Sequence, residues 1–233
     1  RKYGEAVTNF NKFLRLPGAN KTDVYGYANY ALAYAAFRNG NYSTAANYFE
    51  RFLASGGSKG IEMNTRNDAI ARLGDSYFSS KNYGRALTEY NKLISSKAPS
   101  QDYALFQRGI IQGLQGDNNG KISTLNAVIA QFPSSNYADD IAFEIPYTRF
   151  LMGESDQAIA GLQTMVEKYP RSSYVPRALV TIGLVQYNQD NNDAALATFQ
   201  RVVDQYGSTD EARQALSLIH ISEPTRRTPL SYA

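Results

Sequence analysis

One pattern recurs along the chain: a small residue, an apolar residue beside it, then apolar residues three, six and seven positions later. Five clear copies and one degenerate copy begin, in order, at Ala6, Ala45, Ala86, Lys121 (degenerate), Ala158 and Ala195. Successive copies start 35 to 41 residues apart, a period typical of proteins that stack one supersecondary unit on the next. The repeat therefore predicts an array with an extended surface, not a single core around one pocket.

The copy around Ala86 shows most clearly what one repeat forms. Apolar residues at helical intervals predict one helix over residues 67–79 and a second over residues 84–95, after a short turn. Gly74 and Ala86 are the small residues of this copy, and they predict a place where two helices approach without a side chain between them. Such an antiparallel pair buries its apolar face only by stacking on neighbouring pairs.

This unit resembles the tetratricopeptide repeat (TPR). The family's signature positions are filled in this copy by Leu73, Gly74, Tyr77, Tyr83, Ala86 and Tyr90. The resemblance covers about residues 1–215. It implies an all-α fold, a right-handed superhelical solenoid of antiparallel helix pairs with about five full repeats plus partial ends.

Two residues depart from the repeat. Pro146 stands where the fourth repeat expects its helix-packing glycine, and an interior proline removes a backbone hydrogen bond and kinks a helix. Lys121 replaces the small residue of the third repeat, which is also rich in glycine. We expect a looser or bent joint across repeats three and four; the alternative is sequence drift in a repeat that its neighbours hold in place.

The composition excludes several kinds of chemistry. The chain has no cysteine, so disulfides and thiolate chemistry are excluded. Its one histidine, His220, lies outside the repeats, which therefore have no histidine-based triad or metal site. A net charge of +3 without a basic run argues against nucleic-acid binding, and no apolar stretch is long enough to span a membrane. We expect no catalytic residue, no metal and no cofactor.

Three polar segments resemble functional motifs, and each has a simpler interpretation. Asp139 and Asp140, with Glu144, lie at a predicted helix start, where acidic side chains favour the helix dipole. Residues 190–193 lack the spacing, the glycine and the closing glutamate of a calcium loop. Residues 116–121 have the wrong spacing for a phosphate loop and no strand before them.

The C-terminal residues break the repeat. Residues 216–226 resemble, codon for codon, a translated transposase-type sequencing adapter. We therefore predict a repeat array over residues 1–215, in which residues 208–212 open a sixth pair, and a non-native tail over residues 216–233. The chain starts without a methionine, so we also expect that the natural protein extends beyond it.

The resemblance implies a partner-binding surface, because the first helix of each TPR pair lines the concave face. Tyrosine and phenylalanine suit such a groove, although many of these rings could instead pack between helices. Carried over to this sequence, the positions are Tyr27, Tyr30, Tyr34, Phe37, Asp75, Phe78, Phe106, Ile110, Phe143, Tyr147, Phe150, Arg177 and Tyr187.

Three functions follow as hypotheses. The first is a non-catalytic scaffold that binds a peptide or partner protein in this groove. The second is an accessory domain of a larger envelope enzyme acting on peptidoglycan or glycan, and the third is self-association. The linkers at residues 132–138 and 169–174 resemble those of outer-membrane-assembly and Tol–Pal-associated TPR proteins, which implies the periplasm or cell envelope, with the cytoplasm as the alternative.

Overall fold

The protein is described from a computed structural model, which describes residues 2–55 and 62–222. Within those ranges the chain forms twelve α-helices and one short 3₁₀ helix, and no strand. The helices form two compact units, divided between Gln115 and Gly116. The fold class is therefore an all-α solenoid of helix pairs, as the repeat predicted.

The first unit contains six α-helices, and each packs against the next. They are α1 (Lys2–Leu14), α2 (Val24–Arg38), α3 (Tyr42–Ala54), α4 (Met63–Ser79), α5 (Tyr83–Ser95) and α6 (Gln101–Leu114), with the 3₁₀ helix Ala19–Lys21 between α1 and α2. The helices predicted over residues 67–79 and 84–95 correspond to α4 and α5, and α4 begins four residues earlier than predicted.

The second unit continues the pattern with six more helices, each packed against the next. They are α7 (Asn118–Gln131), α8 (Ala138–Leu151), α9 (Ser155–Lys168), α10 (Val175–Asn188), α11 (Asn192–Tyr206) and α12 (Asp210–Ser222).

Four of the helix pairs share one hydrogen-bonding pattern in the turn between their helices. The N–H of Asn82 donates to the carbonyl of Tyr77 at 2.8 Å, five residues back, and the residue before it, Lys81, has a φ of 59°. Equivalent bonds close the turns of α2–α3, α8–α9 and α10–α11. This is the Schellman ending, in which a left-handed residue stops a helix. Gly40 and Gly153 fill that position in two pairs, whereas Lys81 and Asp190 fill it in the others.

The small residues of the repeat lie where the helices of a pair approach, as predicted, but an aromatic ring of the partner helix fills the space at the two glycines. A Cβ placed on Gly74 would lie 2.7 Å from Cε1 of Tyr90, so the ring of Tyr90 rests directly on the backbone of α4. Gly183 and Phe199 repeat this contact between α10 and α11, where the same distance is 2.4 Å. Ala86 is fully buried. These two pairs are thus held by a large ring against a residue without a side chain.

The two departures from the repeat are both accommodated. α8 continues through Pro146, which is buried, and a Cβ on Gly161 of α9 would lie 2.6 Å from the Cβ of Pro146. The glycine of this helix contact therefore lies on α9, whereas the repeat places it on α8. Lys121 is buried in α7, and its ammonium forms an ion pair with Glu144 of α8. The bent joint across repeats three and four stays a prediction.

The last helix crosses the predicted end of the array. α12 begins at Asp210, where a sixth pair was expected to open, and runs to Ser222. Leu218 and Ile219 are half-buried against the core of the second unit. The rest of the predicted tail, residues 223–233, lies outside the described residues. None of the helices within the described ranges combines the length and apolar character of a membrane span.

Candidate functional site

The predicted partner-binding side chains lie on the first helix of each pair. We use the name first-helix face for these side chains on α2, α4 and α6 in the first unit and on α8 and α10 in the second.

Tyrosine hydroxyls on α2 bond to a carboxylate on α4. The hydroxyl of Tyr30 donates to Oδ2 of Asp68 at 2.7 Å, and that of Tyr34 donates to the same oxygen. The two rings meet edge to face with centroids 5.0 Å apart. Burial and the bond to Asp68 raise the pKa of Tyr34 to about 12 and raise that of Tyr30 as well. Both hydroxyls therefore stay protonated donors at neutral pH.

The same two rings belong partly to the core. Tyr30 contacts Phe49 at 6.1 Å and Phe52 at 5.0 Å between ring centroids, and Tyr34 meets Phe49 at 5.6 Å. Both tyrosines are half-buried and pack against the core cluster of the first unit. One side of each ring therefore packs against the core, which is the alternative that the sequence left open for these rings.

A second carboxylate on α4 is buried beneath the face. Asp75 is only 7% exposed and accepts hydrogen bonds from the hydroxyls of Tyr90, at 2.7 Å, and Tyr103. The guanidinium of Arg72 pairs with its other oxygen. Burial raises the pKa of Asp75, and the bonds from Tyr103, Arg72 and Tyr90 oppose that rise. Asp75 therefore links α4 to α5 and α6 by buried hydrogen bonds, and it is not itself accessible to a partner on this face.

The remaining predicted residues of the first unit vary in exposure. Tyr27 is the most accessible at 63%, and its ring meets that of Phe10 edge to face with the ring centroids 5.9 Å apart. Phe37 and Phe78 are half-buried against Tyr42 and Tyr83, the first residues of α3 and α5. Phe106 and Ile110 are half-buried on α6.

The second unit places a cation on a stack of rings. Phe143 is fully buried, and its ring stacks on Tyr147 at 5.2 Å and on Tyr174 at 4.9 Å. The guanidinium carbon of Arg177 lies 5.2 Å from the centroid of Phe143 and 4.9 Å from that of Tyr147. Phe143 therefore forms the floor of this cluster and not its contact surface.

Arg177 is the charged group of this face that remains available. It is exposed, and within residues 2–55 and 62–222 it forms no ion pair. Phe150, 6.1 Å from Tyr147, is half-buried at one edge, and Tyr187 is 39% exposed on the last turn of α10. A fixed cation above aromatic rings can bind an anionic group while the rings contact apolar atoms beside it.

The acidic residues at the start of α8 have structural partners. Asp139 and Asp140 lie in its first turn, as predicted. Asp140 accepts a hydrogen bond from the hydroxyl of Tyr174 at 2.8 Å, and burial raises its pKa. Burial and the same bond raise the pKa of Tyr174 to about 12. Glu144 is paired with Lys121 and does not contribute to the dipole of the first turn.

The other two polar segments serve as turns and caps. Asp117 caps α7, because its carboxylate accepts from the N–H of Gly120 at 2.8 Å. Asp190 holds the left-handed position of the α10–α11 turn. In the described ranges, no three His, Cys, Asp or Glu side chains come together as a metal site.

Sequence reasoning missed the partners of the predicted residues. Asp68 and Arg72 lie two turns and one turn before Asp75 on α4, at the spacing of one helical face. That spacing was the available signal. Tyr103 and Tyr174 carried no such signal, because their partners lie on neighbouring helices.

Comparison with known families gives one consistent description. Two models, both described as tetratricopeptide repeat, match the chain: one at residues 1–59 and 30–102, the other at residues 103–135, 147–172 and 177–209. No curated protein matched the sequence.

Solved structures share the fold at low sequence identity. The C-terminal part of a TPR repeat-containing protein from Cytophaga hutchinsonii is 13% identical, with a TM-score of 0.67 over 97% of this chain and 92% of that one. MamA from Desulfovibrio magneticus RS-1 is 16% identical, with a TM-score of 0.63 over 79% and 97%. YrrB, described as a TPR protein with an unusual peptide-binding site, is 14% identical, with a TM-score of 0.57 over 82% and 91%.

Proposed function

This chain belongs to the tetratricopeptide repeat family, and we propose that it is a non-catalytic scaffold that binds a peptide or a partner protein on its first-helix face. The proposal agrees with the peptide-binding site described for YrrB, a protein of the same fold. The repeat also presents side chains along successive helices, which suits an extended ligand.

The arginine–aromatic cluster of the second unit is the observation that carries the proposal. Arg177 is exposed and held over Phe143 and Tyr147, so little side-chain entropy remains to be lost on binding. The accompanying Tyr187 offers an exposed ring on the same helix. A matching ligand has an acidic group next to an aromatic or aliphatic side chain.

A selection of random peptides against the intact chain tests the proposal. We expect the selected peptides to contain Asp or Glu beside an apolar residue. Arg177→Gln should weaken them at least about tenfold, because a hydrogen bond to a charged group contributes about 1.5–3 kcal/mol. Arg171→Gln is the matched control, since Arg171 is an exposed arginine in the α9–α10 linker. Titration calorimetry measures both.

If peptides bind with equal affinity to Arg177→Gln and to the native chain, the cluster is not the site. If no peptide is retained at all, the scaffold proposal loses its main support for this face.

We place the protein in a bacterial periplasm or cell envelope as part of the same proposal. Its support is the pair of linkers at residues 132–138 and 169–174, which share one hydrogen-bonded turn. The N–H of Tyr137 donates to Oγ of Ser135 at 3.2 Å, and that of Tyr174 donates to Oγ of Ser172 at 3.3 Å. The complete gene would test this placement, because a cytoplasmic protein has no signal segment.

The complete gene also separates the alternative role, an accessory domain of an enzyme acting on peptidoglycan or glycan. A fused catalytic domain would favour it, and its absence would favour the scaffold. The complete gene also tests the adapter origin of residues 216–233. A gene that encodes a different sequence after residue 215 would support that origin, and a gene that encodes residues 216–233 would refute it. Self-association, a further proposal, predicts a concentration-dependent mass in analytical ultracentrifugation.

A further inference from the structure

The second unit contains an apolar cleft away from the arginine–aromatic cluster. It has a volume of about 400 Å³ and lies among α7, α8 and α9. This volume falls within the range of small-molecule sites. Its apolar walls include Ile129, Ile141, Ile145, Pro146 and Met165.

α9 lacks a side chain at one repeat position that borders the cleft. The register that aligns Ala86, Ala158 and Ala195 puts Gly161 level with Glu89 of α5 and Thr198 of α11. Glu89 is nearly buried there, and Thr198 donates to Gln186 of the paired helix. In α9, the same repeat position is occupied by Gly161, which has no side chain and lines the cleft.

Pro146 packs directly on this glycine. A Cβ on Gly161 would lie 2.6 Å from the Cβ of Pro146, so a larger residue at 161 would require Pro146 to move. Proline also has no N–H to donate to the carbonyl four residues earlier, which belongs to Ala142. Ala142 and Pro146 both line the cleft.

One lining residue is charged. Lys168, on the last turn of α9, lies with its ammonium 5.3 Å from the centroid of the Tyr169 ring, and both residues line the cleft. Lys168 is exposed, and within the described residues it forms no ion pair. The cleft thus joins an apolar body to a single cation at its edge.

From this arrangement we infer a ligand site for an amphipathic anion, in the class of medium-chain fatty acids. The acyl chain lies against the isoleucine and methionine side chains, and the carboxylate meets the ammonium of Lys168. The site is separate from the proposed peptide-binding cluster. Either proposal can therefore fail without the other.

Octanoate and 1-octanol are the probes, because they share a chain and differ in charge. Methyl NMR of the intact chain reports binding through Ile141, Ile145 and Met165, with Leu93 of the first unit as the internal reference. We expect octanoate to shift the three cleft signals and leave the reference unchanged. Lys168→Gln should weaken octanoate about two- to fivefold at low salt and leave 1-octanol unchanged.

Ala160 provides the steric test, because it is exposed and lines the cleft. Ala160→Phe should fill the cleft and weaken both probes at least tenfold. Ala197→Phe is the matched control, at the same repeat position of α11 and outside the cleft. Equal binding by Ala160→Phe and the native chain overturns the site. Equal sensitivity of both probes to Lys168→Gln overturns the anionic head group.

Discussion

At Gly74, the absence of a side chain decides how α4 and α5 pack. Its missing Cβ leaves the space that the ring of Tyr90 fills, at 2.7 Å from where that atom would lie. The sequence predicted that two helices approach closely at Gly74, because the small residue recurs in the repeat, but it did not predict that the ring of Tyr90 lies between them. The bonds of Tyr90 and Tyr103 to Asp75 were not predictable, because a single sequence does not give the register between neighbouring helices.

Replacing Gly74 with leucine should lower the free energy of unfolding by about 1–3 kcal/mol through overpacking. Gly84→Ala is the control, because nothing lies within 4 Å of a Cβ there and Gly84 lies in the first turn of α5. That control should be neutral or stabilise by a few tenths of a kcal/mol to about 1 kcal/mol. Guanidinium unfolding measures both, and an unchanged midpoint for Gly74→Leu would contradict the packing described.

Asp75 should make stability depend on pH in a predictable direction. Burial raises its pKa in the folded state above the ordinary value of 3.8, so the folded chain holds this proton more tightly than the unfolded chain. Its contribution is present below that ordinary value and is lost as the pH rises through the folded pKa.

Asp75→Asn removes this dependence. Relative to the variant, the native chain should lose unfolding free energy as the pH rises from about 4 to neutrality. Urea unfolding of both chains across that range measures the difference between their free energies of unfolding. The contributions of the other carboxyl groups cancel in this difference. Parallel curves would mean that the pKa of Asp75 is not raised.

At the scale of elements, the helices were predictable and their endings were only partly so. The periodic segments gave α4 and α5 to within four residues, because apolar spacing fixes helix type. The shared left-handed turn was less evident, since two of the four pairs place Lys81 and Asp190 where glycine is expected.

Lys81→Gly should therefore stabilise the chain by about 0.5–1 kcal/mol, because the left-handed conformation strains residues that have a Cβ. Gln163→Gly, on an exposed position of α9, should instead destabilise by a similar amount. Thermal unfolding compares the two. If both variants are less stable than the native chain, the side chain of Lys81 stabilises the fold by more than its left-handed conformation destabilises it.

The pairing of α7 with α8 makes a second prediction at this scale. Lys121 was expected to loosen the third repeat, but the structure pairs it with Glu144, and their side chains are only 10% and 19% exposed. Lys121→Met should cost about 2–4 kcal/mol, because Glu144 is left unpaired, whereas Lys121→Met with Glu144→Leu should recover most of that loss.

A double-mutant cycle in guanidinium measures the coupling. The exposed pair of Arg213 and Asp210 is the control and should give less than about 1 kcal/mol. A similar small value for Lys121 and Glu144 would contradict their role in joining the helices.

At the scale of the whole molecule, repetition explains why the fold was easier to predict than the function. Each unit has its own core cluster, built from the same repeat positions, so the sequence showed the architecture several times over. The candidate site occurs once. Arg177, Phe143 and Tyr147 come together from α8 and α10, and no repeated pattern marks that combination.

The central claim is that first helices bind partners and second helices support them. Backbone NMR of the second unit with a selected peptide tests it most directly. We predict chemical-shift changes on α8 and α10 around Tyr147 and Arg177, and little change at the exposed residues of α9 and α11. Shifts confined to α9 and α11 would contradict the account.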